Sequence, residues 1–343
     1  MQIGLYTLRR LGAALFSTLA LIALVFLITK LVPGDEAQVA AGRYASPEQV
    51  EAMRLKLGLD LPMLEQFWAY LVRIAQGDLG TSISTFQPVL TDLLTVIPST
   101  LELVIVAFVI DVAIAVPLAV WAAYRAGRPV DNALRVGAVL LNGMPAFGLA
   151  LLAQHLFAEK LRLFPISGRI ADEFVVPWRT GMTSIDSLLA GNLPAFGSAL
   201  GHLVLPATVL ALPFAAITFR AMRVSLLNVM RSDFALVAKA KGVRLPRLVV
   251  RHLLPNASGP TVSLLGIQVG WLFTVAILVE NVFARSGIGT YLTQAVSQKD
   301  TFAVLGAVLF LGLIVTIANL AADLIIMLMD PRIRSQQLGS ANA

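Results

Sequence analysis

Six stretches of this chain are apolar for long enough to cross a bilayer, and each such run of about twenty residues reads as a membrane-spanning helix. They are Leu11–Thr29, Thr100–Ala123, Val136–Phe157, Gly201–Phe219, Pro260–Val279 and Phe302–Met329. The first runs nineteen residues without a charge after Arg9-Arg10. A signal peptide's apolar region is shorter, about 7–15 residues, so this run reads as a retained helix. Pro206 and Pro213 lie inside the fourth run, and Gly143-Met144-Pro145 interrupts the third. Neighbouring helices and water-filled cavities re-satisfy the backbone at such points. With 57% hydrophobic and 13% charged residues and a mean hydropathy of +0.81, the sequence is that of an all-α polytopic membrane protein with six transmembrane helices.

The polar intervals divide the rest. Residues 1–32 hold the N-terminus and first span, 33–97 an external helical region, 98–334 a five-helix core with a loop at 225–258, and 335–343 a polar tail. In the external region, Ser46-Pro47-Glu48-Gln49 supplies an N-cap, a proline at N1 and a capping-box partner, and Gly58 closes that helix. A second helix is expected from Pro62 to Gln76, with Phe67, Tyr70, Leu71 and Ile74 on one face. Gly34, Gly77 and Gly80 read as turn residues.

Charge sets the orientation. With both termini inside, the inner segments carry 15 bases against three acids (Asp131, Asp233, Asp330), and the outer ones 11 bases against 13 acids. The positive-inside rule favours that arrangement, with both termini cytoplasmic. It also accounts for the net charge of +6 without a nucleic-acid partner. The chain has no cysteine, and its three histidines (His155, His202, His252) are far apart, so no metal-ligand set is formed.

Ser232–Pro255, SDFALVAKAKGVRLPRLVVRHLLP, lies between two apolar runs yet carries five Lys or Arg residues, His252 and one acid. Ser232 or Asp233 can cap a short helix from Phe234 to Lys241, and Gly242 suits the left-handed residue that ends it. Pro246 restarts a second helix, which runs to the membrane at Leu254-Pro255. Phe234, Val237, Ala238 and Lys241 recur at i, i+3, i+4, i+7, a face that a partner groove could take. The competing reading is a solvated basic loop on anionic lipid head groups.

Ala238, Ala240, Gly242 and a Leu-Pro whose proline falls thirteen residues beyond that glycine resemble the EAA loop of binding-protein-dependent ABC importer permeases. Leu236 stands where the general pattern has a glutamate. Val32-Pro33-Gly34-Asp35, Gly77-Asp78-Leu79-Gly80-Thr81-Ser82, Phe164–Arg169, Glu280–Phe283 with Ser286–Gly289, and Asn319–Asp323 with Asp330-Pro331-Arg332 are similar to the dipeptide/oligopeptide/nickel branch. The resemblance implies the type I ABC importer permease fold. Its implied partners are a second homologous permease forming a heterodimer, two ATPase subunits, and a periplasmic or lipid-anchored substrate-binding protein. It makes Asp233, Phe234, Val237, Ala238, Lys239, Ala240, Lys241, Gly242, His252, Leu254 and Pro255 the ATPase-coupling segment. This chain has no G-x-x-x-x-G-K-[ST] loop and binds no cofactor of its own on this reading; ATP and Mg belong to the ATPases.

Asp111, Glu280 and Asp323 fall in or at the end of apolar spans, where an ionised group is costly and usually faces a bundle interior or water. They are either pathway residues, together with Gln268, Trp271 and Asn281, or partners in interhelical hydrogen bonds. An ion-coupled secondary transporter is the rival from another class, with Asp111 and Asp323 as relay groups; inverted repeats would mark it, and none is visible. No Ser/His/Asp or metal constellation supports an intramembrane hydrolase.

Overall fold

A computed structural model of the chain describes residues 2–31, 35–42 and 44–329. Asp330, Pro331, Arg332, Arg334 and the turn at Gly34 therefore lie outside the described residues, as does the side chain of Asp323. The fold is helical: α1 (Gln2–Leu31), α2 (Glu36–Ala41), α3 (Pro47–Lys56), α4 (Met63–Ala75), α5 (Val89–Tyr124), α6 (Pro129–Gly143), α7 (Ala146–Ala153), α8 (Thr183–Leu189), α9 (Leu193–Met230), α10 (Asp233–Ala240), α11 (Leu245–Leu248), α12 (Leu254–Val282), α13 (Ile288–Ser297) and α14 (Thr301–Met329). Seven-residue and five-residue π-helical stretches follow α7 and α11, at Gln154–Lys160 and Val249–Leu253.

Among the described residues, α5, α9, α14 and the continuous helix Leu245–Val282 are long and apolar enough to cross a membrane. The third predicted span is not one rod. α6 and the helix that starts at Ala146 meet at an angle of 104°. Pro145 causes the break, because it has no amide to donate and pushes the residue before it out of the helical region. Met144 accordingly sits extended, with ψ 132°. Counted as one broken span, this pair makes five among the described residues; the apolar stretch of α1, Leu15–Lys30, is shorter than the others, so the sixth predicted span is present only as a short apolar helix. Pro206 and Pro213 leave α9 unbroken, and at 38 residues it measures about 57 Å, well beyond a ~30 Å hydrocarbon core.

The chain forms two compact units. Among the described residues, those within 7–100 and 286–314 form a small unit and those within 2–6, 101–285 and 315–329 a large one. In the small unit the predicted caps are present. The Ser46 Oγ accepts from Gln49 N at 3.3 Å and Gln49 Oε1 accepts from Ser46 N at 2.9 Å, so α3 starts where its capping box dictates. Tyr70 is buried on α4, and Phe67 and Ile74 pack with it against Ile22, Phe26 and Leu305. The 77–88 segment is then pinned to the start of α14. Asp300, fully buried, accepts from Ser82 Oγ at 2.6 Å and Ser84 N at 3.2 Å. A Cβ on Gly80, already at φ +91°, would stand 2.8 Å from the Phe302 ring.

Gly306 lets α14 lie against the first turn of α5, since a Cβ there would meet Val89 Cγ1 at 2.5 Å. Valine is stiff at χ1 and cannot swing aside. We expect Gly306→Ala to destabilise the protein by about 1–3 kcal/mol through overpacking, read as a lower thermal midpoint in detergent. Val89→Ala in the same chain should recover most of that loss. Equal midpoints for wild type and Gly306→Ala would refute the contact.

Candidate functional site

The segment Ser232–Pro255 is built on the large unit. α9 ends at Met230, where the Ser232 hydroxyl turns back to the Val229 carbonyl at 2.5 Å. The N-cap role expected of the Ser232 or Asp233 side chain thus passes to the Ser232 carbonyl, which receives the first amides of α10 from Ala235 and Leu236. The helix closes as predicted from Gly242: this residue has φ +72°, and Val243 N donates back to Ala238 O at 3.2 Å, the six-to-one bond of a Schellman turn. Arg244 then goes extended and Pro246 opens α11.

The second helix runs to Leu254-Pro255 and continues beyond it. α11, the π-helical turn and α12 form one helix from Leu245 to Val282. Pro255 cannot donate to the carbonyl of Arg251, and the wider π turn that ends at Leu253 absorbs the mismatch just ahead of it.

Burial sorts the two faces of α10. Ala235 is fully buried, and Ala238 is half-buried against the same cluster, which includes Phe219, Met222, Leu226, Leu248 and Leu253. Val243 and Leu254 pack on it as well. Phe234, Leu236 and Val237 are exposed by 43%, 53% and 52%, beside exposed Asp233, Ala240, Lys241 and Gly242. His252 is half-buried and Pro255 exposed; the side chain of Lys239 lies outside the described residues. The predicted stripe therefore divides: Ala238 belongs to the anchor, whereas Phe234, Val237 and Lys241 are free to meet another protein.

Beside this anchor lies an ion pair the sequence reading did not single out. Asp131 is fully buried near the start of α6 and accepts two parallel bonds from Arg223 of α9, Nε and one terminal nitrogen both at 2.6 Å. Its Oδ2 also accepts from Gly127 N at 2.9 Å, which fixes the basic turn between α5 and α6. Only spatial pairing reveals it, since the two residues are 92 apart in sequence.

The proposed pathway residues fall in three places. Asp111 of α5 is fully buried and takes a 3.3 Å contact from Thr218 of α9, whose hydroxyl is also 3.1 Å from Gln268 Oε1 of α12. Gln268 donates to Phe214 O at 3.4 Å. This polar node joins three spans. Trp271 is 60% exposed, since a three-residue step turns 300° and sets it 60° round the helix from Gln268. Asn281 is exposed and bonds Ile277 O in its own helix.

Glu280 lies elsewhere, fully buried next to a charge cluster around Glu102. Glu102 Oε1 accepts from Ser184 N and Oγ at 2.8 and 2.5 Å; its Oε2 accepts from Arg285 at 2.6 Å and lies 3.8 Å from Arg169. Burial pulls both guanidinium groups below their ordinary range, opposed first by the Glu102 carboxylate. Arginine keeps its charge regardless, so the cluster is a fixed strut.

The strut at the other end gives a quantitative expectation. Asp131→Ala should cost about 3 kcal/mol, the low end for a broken buried pair because Arg223 retains some solvent. The exchanged pair Asp131→Arg with Arg223→Asp should recover part of it. A thermal midpoint unchanged by Asp131→Ala would show the pair to be dispensable.

Comparison with known proteins bears on the whole chain. The family model described as "Binding-protein-dependent transport system inner membrane component" matches residues 115–335, and that of its N-terminal region matches residues 4–104. The chain is 37% identical over 311 residues to a probable D,D-dipeptide transport system permease protein of Escherichia coli K12, covering 90% of this chain and 92% of that protein. It is 34% identical over 330 residues to a di/tripeptide transport system permease protein of Pseudomonas aeruginosa UCBPP-PA14, covering 96% and 98%. To the dipeptide transport system permease protein of E. coli K12 it is 34% identical over 337 residues, covering 97% and 99%. With the helical spans, the EAA-like loop and these matches in hand, the chain belongs to the family of inner-membrane components of binding-protein-dependent transport systems, as a permease subunit of an ABC importer.

Proposed function

We propose that this chain pairs with a second permease of similar fold to form the membrane pathway for dipeptides and similar small peptides. An external binding protein delivers them, and two separate ATPases, carrying ATP and Mg, drive the cycle. The peptide class rests on the names of the relatives, all of them peptide or dipeptide permeases. The coupling reading rests on one observation: α10 exposes Phe234 and Val237 while its opposite side is locked into the large unit through Ala235. Exposed apolar residues beside Lys241, on a helix outside the spans, suit a groove on a soluble partner.

A push on α10 reaches the transmembrane helices without a flexible joint. Ala235 and Ala238 bear on Leu248, Leu253 and Leu226, which belong to the helices or turns leading into α12 and α9. Those two helices carry Gln268 and Thr218 to Asp111. Gln268 stands fifteen residues beyond Leu253, about 22 Å along the axis. Rocking of α9 and α12 would thus shift the node, and through it the pathway between the two permeases. Both termini are placed on the cytoplasmic side, on the strength of the 15-to-3 charge bias of the inner segments.

Two measurements test this. Val237→Glu puts an unpaired charge on the exposed face and removes nothing from this chain's core, whereas a change at Ala238 would damage the anchor itself. Gly242→Val forces a β-branched residue to φ +72°. Each should lower peptide-stimulated ATP hydrolysis of the purified, reconstituted transporter at least tenfold while the chain still inserts. Wild-type turnover in both would sink the coupling assignment. For orientation, single cysteines at Asp60, Val175 and Leu245 can be labelled without background, since the chain has none. An impermeant thiol reagent outside the inner membrane should reach the first two and miss Leu245; modification of Leu245→Cys from that side would invert the topology.

A further inference from the structure

The small unit holds a cavity of about 510 Å³ that the transport reading does not use. This is within the range of small-molecule sites, about 300–1,000 Å³. It is lined by Val25 and Ile28 of α1 and Val304 and Val308 of α14. Lys30, Asp35, Glu36, Arg54 and Lys299 line it as well, and form its charged rim where the two helices end. Val25 is five residues before Lys30 and Val308 seven beyond Thr301, so the walls extend about 8–10 Å below the charged rim. α14 is long and apolar enough to span, α1 contributes the shorter apolar stretch Leu15–Lys30, and Lys30 and Thr301 stand at the ends of these stretches.

A cavity charged at the level of the span ends and apolar one to two turns deeper crosses from the head-group layer into hydrocarbon. A soluble zwitterion would leave the deep walls unused, and a bare hydrocarbon chain would leave the rim unused. The rim carries both signs: Lys30 Nζ pairs with Glu36 at 2.9 Å, and Arg54 with Asp35 at 2.5 Å. Each pair keeps spare donors and acceptors, since Lys30 has three N–H groups and each carboxylate about four lone-pair sites. Three bases against two acids favour a phosphate, with the acids available to an ammonium.

The geometry points to a phospholipid seat, with a phosphoethanolamine-type head group on the rim formed by Lys30, Glu36, Asp35 and Arg54 and an acyl chain along Val25, Ile28, Val304 and Val308. Bases hold the phosphate and acids hold the amine. Ile28, 49% exposed, lines the way by which a chain enters.

The test uses the complete transporter in nanodiscs, with phosphatidylethanolamine bearing a diazirine on its acyl chain as probe and cross-links mapped by mass spectrometry. Peptides around Ile28 and Val308 should be labelled at least fivefold more than the one around Val109 of α5, which is 59% exposed. Diacylglycerol with the same diazirine lacks the head group and should label all three alike. Filling the cavity with Ile28→Trp or Val308→Trp should abolish the excess. Arg54→Glu, which turns the rim to two bases and three acids and leaves the walls untouched, should reduce it without affecting assembly. Labelling no stronger than at Val109, equal labelling by the diacylglycerol probe, or an excess untouched by both the filling variants and Arg54→Glu would each overturn the proposal. So would loss of the excess on adding the external binding protein, since a protein would then be the occupant.

Discussion

Close packing on alanine is the contact the large unit depends on. Lipid tails are as apolar as leucine side chains, so burying hydrocarbon gives spans little reason to associate; van der Waals contact and hydrogen bonds must do it. Ala115, Ala119 and Ala122 recur at i, i+4, i+7 along α5 and are fully buried, against Ala138 of α6, Ala215 and Ala216 of α9 and Ala257 of α12. Methyl groups let the helix backbones approach, and many short contacts accumulate. Gly270 extends the same logic: a Cβ there would stand 3.1 Å from Val315 of α14. The seam continues out of the spans, because Ala235 and Ala238 of α10 join the same cluster. The exposed side of α10 is thereby held on a stiff base. A helix of eight residues would not keep its shape alone.

Much of this was legible in order along the chain. Periodicity and caps are local properties, so α3, α4 and the Gly242 turn sit within a residue or two of their expected places. What was lost needed distance in sequence. Nothing in Asp131 or Arg223 separately announces a bidentate pair, and Glu102 gives no sign that Ser184 and Arg285 converge on it. The pairing of the 77–88 segment with Asp300 and Phe302 is of the same kind. One local expectation, the side-chain cap of α10, gave way to competing chemistry, and one proline was accommodated. Ser232 spends its hydroxyl on Val229, and the π turn carries the helix through Pro255. Gln268 and Trp271 differ in burial, 3% against 60% exposed, because three residues fall 60° short of a full turn.

The polar contacts of the large unit differ in strength along its length, and that difference bears on motion. Around Asp131 the carboxylate receives two charged bonds and an amide, and around Glu102 it receives a guanidinium, a hydroxyl and an amide. Breaking either leaves a buried charge, at several kcal/mol. Between them, Thr218 has one hydroxyl proton for two acceptors, Asp111 Oδ2 and Gln268 Oε1. Asp111 Oδ1 has no partner among the described residues. An interhelical bond of this sort is worth about 0.6 kcal/mol in a membrane bundle. Displacing α5, α9 and α12 against one another is therefore cheapest at the node, while α6 stays fastened to α9 and α8 to α5. Thr218 can exchange one acceptor for the other as it moves, so a shift there trades one contact for its equal. A bundle that is stiff beside α10 and cheap to displace around Asp111 concentrates any relative movement of α5, α9 and α12 at that node.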